Sequence, residues 1–186
     1  EVKRAQIVTA GKQALAFMDL EIPMGFGASM WQPKLEARAL HELSIQSGDN
    51  VLEVGTGSGY LTALLSRLAA NVKSVEIVPE LSAQAAQKLA AHNFSNIRLE
   101  TGDASKNWGA GQYDVIVLTG SVPVQPTEFQ RQLKVGGRLF AIVGDAPAMQ
   151  ATLYRRLAND VYETVGLFET NVTPLKNAPQ PQRFVF

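Results

Sequence analysis

The sequence predicts an α/β protein built on a doubly wound, mostly parallel sheet. Three observations predict it. From residue 51 onward, short β-rich runs alternate with segments whose apolar residues recur at helical spacing. One run, residues 115–118, is continuously apolar, as a strand buried on both faces of a parallel sheet must be. A glycine-rich turn, residues 55–59, follows the first run, where open α/β sheets place their ligands.

Pro33 opens a helix whose apolar residues are Leu35, Ala39, Leu40 and Leu43, since proline suits the first helical position. The predicted strands that follow are residues 51–54, 72–78, 96–99, 113–118 and 138–143. Between them, Leu61, Leu64, Leu65 and Leu68 mark one helical face, and Leu81, Ala85, Ala86 and Leu89 mark another. Right-handed crossovers then place successive strands side by side. The tail changes character. Residues 151–157 and 162–170 read as two strands joined around Asn159-Asp160, a turn-prone pair. A loop with Pro174, Pro179 and Pro181 leads to a last short run, residues 183–186. The sheet is therefore expected to finish with antiparallel strands.

The 186 residues suit one domain with one sizeable core, and no linker or repeat divides them. Hydrophobic residues make up 46% and charged residues 18%, a balance that excludes disorder. Lys plus Arg equals Asp plus Glu at 17 each, which argues against a broad electrostatic grip on nucleic acid or anionic membrane. Without cysteine, disulfides, thiolate zinc sites and thiol catalysis are excluded, and no metal site is expected. No apolar run reaches the roughly 18–20 residues that span a bilayer, and no signal peptide opens the chain. A cytoplasmic location is the resulting expectation.

The glycine turn reads Glu53-Val54-Gly55-Thr56-Gly57-Ser58-Gly59-Tyr60. A phosphate-binding P-loop needs a lysine after its last glycine, and none is present. A dinucleotide fingerprint needs a third glycine at position 60, which is tyrosine. The remaining pattern, acidic-x-Gly-x-Gly-x-Gly, resembles the first motif of the class I methyltransferases, whose methyl donor is S-adenosylmethionine (SAM) and whose product is S-adenosylhomocysteine (SAH). Glu76 lies about 20 residues on, where a carboxylate can accept hydrogen bonds from ribose hydroxyls, and Ile77 follows it. In the methyltransferase pattern, Asp103 faces the adenine amino group, and the N–H of Ala104 meets a ring nitrogen. Glu53 attracts the donor's ammonium group. The resemblance implies a seven-stranded, Rossmann-like sheet.

The likeness narrows further. Residues 51–60 (VLEVGTGSGY) and 113–123 (YDVIVLTGSVP) resemble segments of the protein-L-isoaspartate O-methyltransferase family, as does the QLKVGGRL stretch at 132–139. That family methylates the α-carboxyl of an L-isoaspartyl residue and so begins protein repair. The resemblance spans roughly residues 20–145. It implies a domain over residues 1–186 in which 1–32 form the acceptor side, with a further helix expected ahead of Glu1. Residues 119–122, beginning with Thr119, would border the methyl group. A peptide carboxylate has a pKa of about 3.5–4, so it is ionised at neutral pH and needs no general base. His41 and His92 are accordingly expected to be structural.

One departure from the family concerns the acceptor. Its members carry a serine two residues before a proline, and the corresponding stretch here is Ser29-Met30-Trp31-Gln32-Pro33. Trp31 takes the serine's place and offers a surface for stacking, a plug for the pocket, or core packing. Ser29 is the candidate hydroxyl. Three acceptor readings follow: an isoaspartyl peptide or protein, a small molecule, or no acceptor at all in a SAM-binding protein without catalysis. Trp108 is expected to pack, and the scattered Lys34, Arg38, Arg155 and Arg156 to be solvated.

Overall fold

The structure is a computed structural model that describes residues 2–8 and 11–181. The expected last strand, 183–186, lies outside the described residues. The short helix α1 (Arg4–Ile7) and a 3-10 turn lead to a small antiparallel hairpin, β1 (Ile22–Gly25) and β2 (Ala28–Met30). Helix α2 (Pro33–Leu43) starts at Pro33 as predicted. It ends where Ser44 adopts φ 45° and donates its N–H to the Leu40 and His41 carbonyls.

The main sheet follows: β3 (Asn50–Val54), α3 (Tyr60–Leu68), β4 (Asn71–Glu76), α4 (Pro79–Ala90), β5 (Ile97–Thr101), β6 (Tyr113–Val122), α5 (Thr127–Arg131), β7 (Leu133–Val143), β8 (Met149–Ala158) and β9 (Val161–Thr170). Its seven strands lie in the order β5-β4-β3-β6-β7-β8-β9. Pairing is parallel from β5 through β7, and antiparallel between β7 and β8 and between β8 and β9. The predicted sheet and its antiparallel finish are both present. Asp160, at φ 53°, turns the final hairpin.

Two strands run longer than their periodicity predicted. β6 continues through Thr119-Gly120-Ser121, small and polar residues that carry no apolar signal, to Val122, and its register with β7 shifts between Val117 and Ser121. β7 begins at Leu133, although Gly136 and Gly137 interrupt its alternation and Gly136 adopts φ +84°. On α4, Ser82 is buried and Ala86 exposed, so the helix turns slightly from its predicted face.

The core lies on both faces of β3, β6 and β7. Val51, Val115, Phe140 and Ile142 pack against α2 and α3, while Leu52, Ile116, Leu118 and Leu139 pack with Phe129 of α5 on the other face. Full burial of each such side chain contributes roughly 1.5–3 kcal/mol. Leu118 is fully buried in the central strand. Leu118→Ala is expected to lower unfolding free energy by about 2–5 kcal/mol, read as a shifted urea midpoint at unchanged slope.

Candidate cofactor-binding site

Reversal of strand order occurs at β3, which pairs with β4 on one side and β6 on the other. The carboxyl ends of these strands diverge there, and the chain leaves β3 through the glycine turn. Gly55, Gly57 and Gly59 have φ of +97°, +53° and +83°. At Gly55 a Cβ would stand 2.1 Å from the Thr119 hydroxyl, so only glycine fits. That hydroxyl lies 2.9 Å from the Val54 carbonyl and 2.8 Å from the Gly55 carbonyl, tying β6 to the turn.

A cleft of about 970 Å³, counted with its open mouth, lies over the turn. Of the residues predicted from sequence, Ser29, Glu53, Val54, Gly55, Thr56, Gly57, Ser58, Glu76, Ile77, Asp103, Ala104 and Thr119 all line it. Gly59 and Tyr60 stand outside its wall. A Cβ at Gly59 would point at Ala85 and Leu89 of α4, and the Arg4 guanidinium lies 5.2 Å from the centre of the Tyr60 ring. Gly120 lines the cleft beside Thr119, whereas Ser121 and Val122 are buried beneath it.

Each acidic residue is held differently. Glu53, the fourth residue of β3, is fully buried; Thr62 and Ser74 donate hydroxyl hydrogen bonds of 2.5 and 2.6 Å to its Oε2. Its Oε1 has no partner among the described residues. Burial pushes this carboxyl up to about 8, against the pull of the two hydroxyls. Glu76 closes β4 and accepts the Gly57 N–H at 2.8 Å and the Val78 N–H at 3.0 Å. It braces the turn from the next strand. Asp103 is exposed at the mouth, where the Asn177 amide and the Ser105 N–H hold its carboxyl below the usual range.

Three further features escaped the sequence reading. Residues 173–176 line the cleft as a strap: Ser121 donates its N–H to the Thr173 carbonyl and accepts the Leu175 N–H, and Asn177 reaches Asp103. This segment has no periodicity to announce it. Met24 of the hairpin also lines the cleft, and a Cβ at Gly57 would lie 2.8 Å from its Cε. Glu36 lines it too, paired with Arg4. A signal for Glu36 did exist, because it shares the helical stripe of Ala39, Leu40 and Leu43.

Trp31 is 5% exposed and lines the cleft, so it packs and faces the site at once. Its ring meets Phe140 edge-on at 6.0 Å, Arg4 donates to its carbonyl at 2.7 Å, and its indole N–H has no partner among the described residues. Trp108 covers Gly102, where a Cβ would lie 2.4 Å from the indole, and donates to Glu100. His41 and His92 stand away from the cleft. Among the described residues, no group of acidic or histidine side chains could hold a metal, and no helix is long and apolar enough to cross a membrane.

Residues 1–178 match the family model of protein-L-isoaspartate(D-aspartate) O-methyltransferase. The chain belongs to this family. A protein-L-isoaspartate O-methyltransferase of Anaeromyxobacter dehalogenans strain 2CP-C is 40% identical over 182 residues, covering 96% of this chain and 87% of the relative. The Myxococcus xanthus protein of the same name is 35% identical over 97% of this chain and 87% of the relative. The fold likewise matches a Plasmodium falciparum structure described as a member of this family in complex with SAH. That match has a TM-score of 0.82 at 17% identity, over 94% of this chain and 86% of that one.

Two outcomes follow from this geometry. Gly55→Ala strains a left-handed backbone and drives a methyl into Thr119; it is expected to lower thermal stability by at least about 1 kcal/mol, measured by calorimetry. Glu53 has a folded pKa of about 8, above the unfolded value of about 4.3. Its stabilising contribution is whole below that unfolded value and is lost as pH rises through the folded one. Urea unfolding from about pH 5 to 8.5 should therefore show wild type losing more stability than Glu53→Gln, by on the order of 1–3 kcal/mol.

Proposed function

We propose that this chain transfers a methyl group from SAM to the carboxylate of an isoaspartyl residue in a peptide or protein. One observation carries the reading: in a member of this family, the glycine turn, Glu53, Glu76 and Asp103 converge on one cleft at the strand-order reversal. The residues fit the donor. Gly55 and Gly57 line the cleft at positive φ and present bare backbone to a ligand there. Glu76 presents a carboxylate at 5% exposure, and each of its oxygens can accept more than its one N–H.

When bound, SAM supplies an activated methyl on a sulfonium centre. Glu76 would hold the ribose hydroxyls, and Asp103 and Ala104 the adenine edge. Val54 to Ser58 would enclose the amino-acid end together with Glu53. Thr119 and Gly120 would border the reacting methyl, and the acceptor side would be the N-terminal segment that brings Ser29 and Trp31 to the cleft. The acceptor carboxylate is already ionised, so these residues have only to align it and exclude water.

Trp31 supports a second reading, methyl transfer to a planar small molecule lying against its ring. Labelled SAM with an isoaspartyl peptide and its aspartyl isomer separates the two: transfer to the isoaspartyl peptide alone is expected. Absence of transfer with SAH binding intact would favour the small molecule, or a SAM-binding protein without catalysis. Glu76→Ala is expected to weaken SAH binding at least about tenfold by titration calorimetry, since charged hydrogen bonds contribute roughly 1.5–3 kcal/mol each.

A further inference from the structure

Glu36 has no role in methyl transfer as described, yet it lines the same cleft as Glu53, near enough for the Glu53 charge to act on it. It is 4% exposed, on the first turn of α2. Arg4 engages its Oε2, and the same guanidinium donates to the Trp31 carbonyl and stacks on Tyr60. Arg4 is thus pinned among α1, α2 and α3. Glu53 is fully buried and keeps one oxygen without a partner.

Charge counting decides what this wall can hold. Ionised, Glu36 and Glu53 bring two negative charges against one guanidinium. One buried negative charge would remain uncompensated, and such a charge is relieved by taking up a proton. Burial pushes each carboxyl up to about 8; at Glu36 the Glu53 charge adds to the rise and Arg4 opposes it. The other groups facing the pair are Tyr60 from α3 and Glu76 from β4, and the Glu76 charge raises Glu53 further. A ligand cation placed here would supply the missing positive charge.

We propose that Glu36 and Glu53 together form the counter-charge for the α-ammonium of the methyl donor, and that this ammonium displaces the one proton the pair holds in its absence. The proposal rests on the reading that the cleft takes SAM. No bond to carbon or sulfur changes: the proton leaves a carboxyl oxygen for the buffer as the ammonium arrives. The exchange swaps one proton for one ammonium, so the charge that the pair and Arg4 present together with the displaced or incoming cation is the same before and after binding.

Titration calorimetry of the wild-type protein at pH 7, in buffers of differing ionisation enthalpy, tests this. The ligands are SAH, which keeps the α-ammonium, and 5′-methylthioadenosine, which keeps the adenosine and thioether but lacks the amino-acid end. SAH should release close to one proton per site and 5′-methylthioadenosine close to none. Equal proton release by both, or none with SAH, would overturn the proposal. Absence of SAH binding would overturn the underlying cofactor reading instead. Glu36→Gln should abolish the release and weaken SAH about tenfold while sparing 5′-methylthioadenosine. Undiminished release in that variant would remove Glu36 from the site.

Discussion

The parallel pairing of β3 with β4 on one side and β6 on the other is the constraint on which the structure depends. Adjacent strands that cross over in opposite directions leave their loops splayed apart, so a cleft must open above β3. One part of its rim is the next few residues of each strand: the glycine turn after β3, Glu76 at the end of β4, Asp103 after β5, Thr119 along β6. Their convergence needs no further device than register. Glu53 pairs with Ser74 across one side and Val117 across the other, which fixes its carboxylate within reach of the Ser74 hydroxyl.

The same arrangement concentrates negative charge where water is scarce. Glu36, Glu53 and Glu76 are each at most 5% exposed, and Arg4 is paired with the first of them. A buried ion pair like Arg4–Glu36 adds little net stability because both charges are desolvated, yet losing one partner is costly. Its use here is placement. It joins α1 to α2 and carries the Trp31 carbonyl beside the cleft. A donor bearing positive charge complements that balance.

Trp31 illustrates how one residue serves two ends. Its edge-on contact with Phe140 belongs to the core between α2 and the sheet, while the residue also lines the cleft. The cleft thereby gains a rigid aromatic wall at this position. Ser29, half-buried on β2 opposite Pro23, remains the hydroxyl on that side.

The sequence by itself determined the alternation of strands and helices, the glycine turn, and the acidic residues that follow successive strands. Those features are local: apolar periodicity and glycine's freedom at positive φ act within a few residues. It understated β6 and β7, because Gly120, Gly136 and Gly137 carry no apolar signal and fall where the β6–β7 register shifts. Only the tertiary structure decided that Leu175 approaches Gly55, that Gly59 faces α4, and that Glu36, paired with Arg4, lines the same cleft as Glu53. These pairings join residues far apart in the chain. Their energy comes from burial and charge compensation, which exist only after the sheet has brought the partners together.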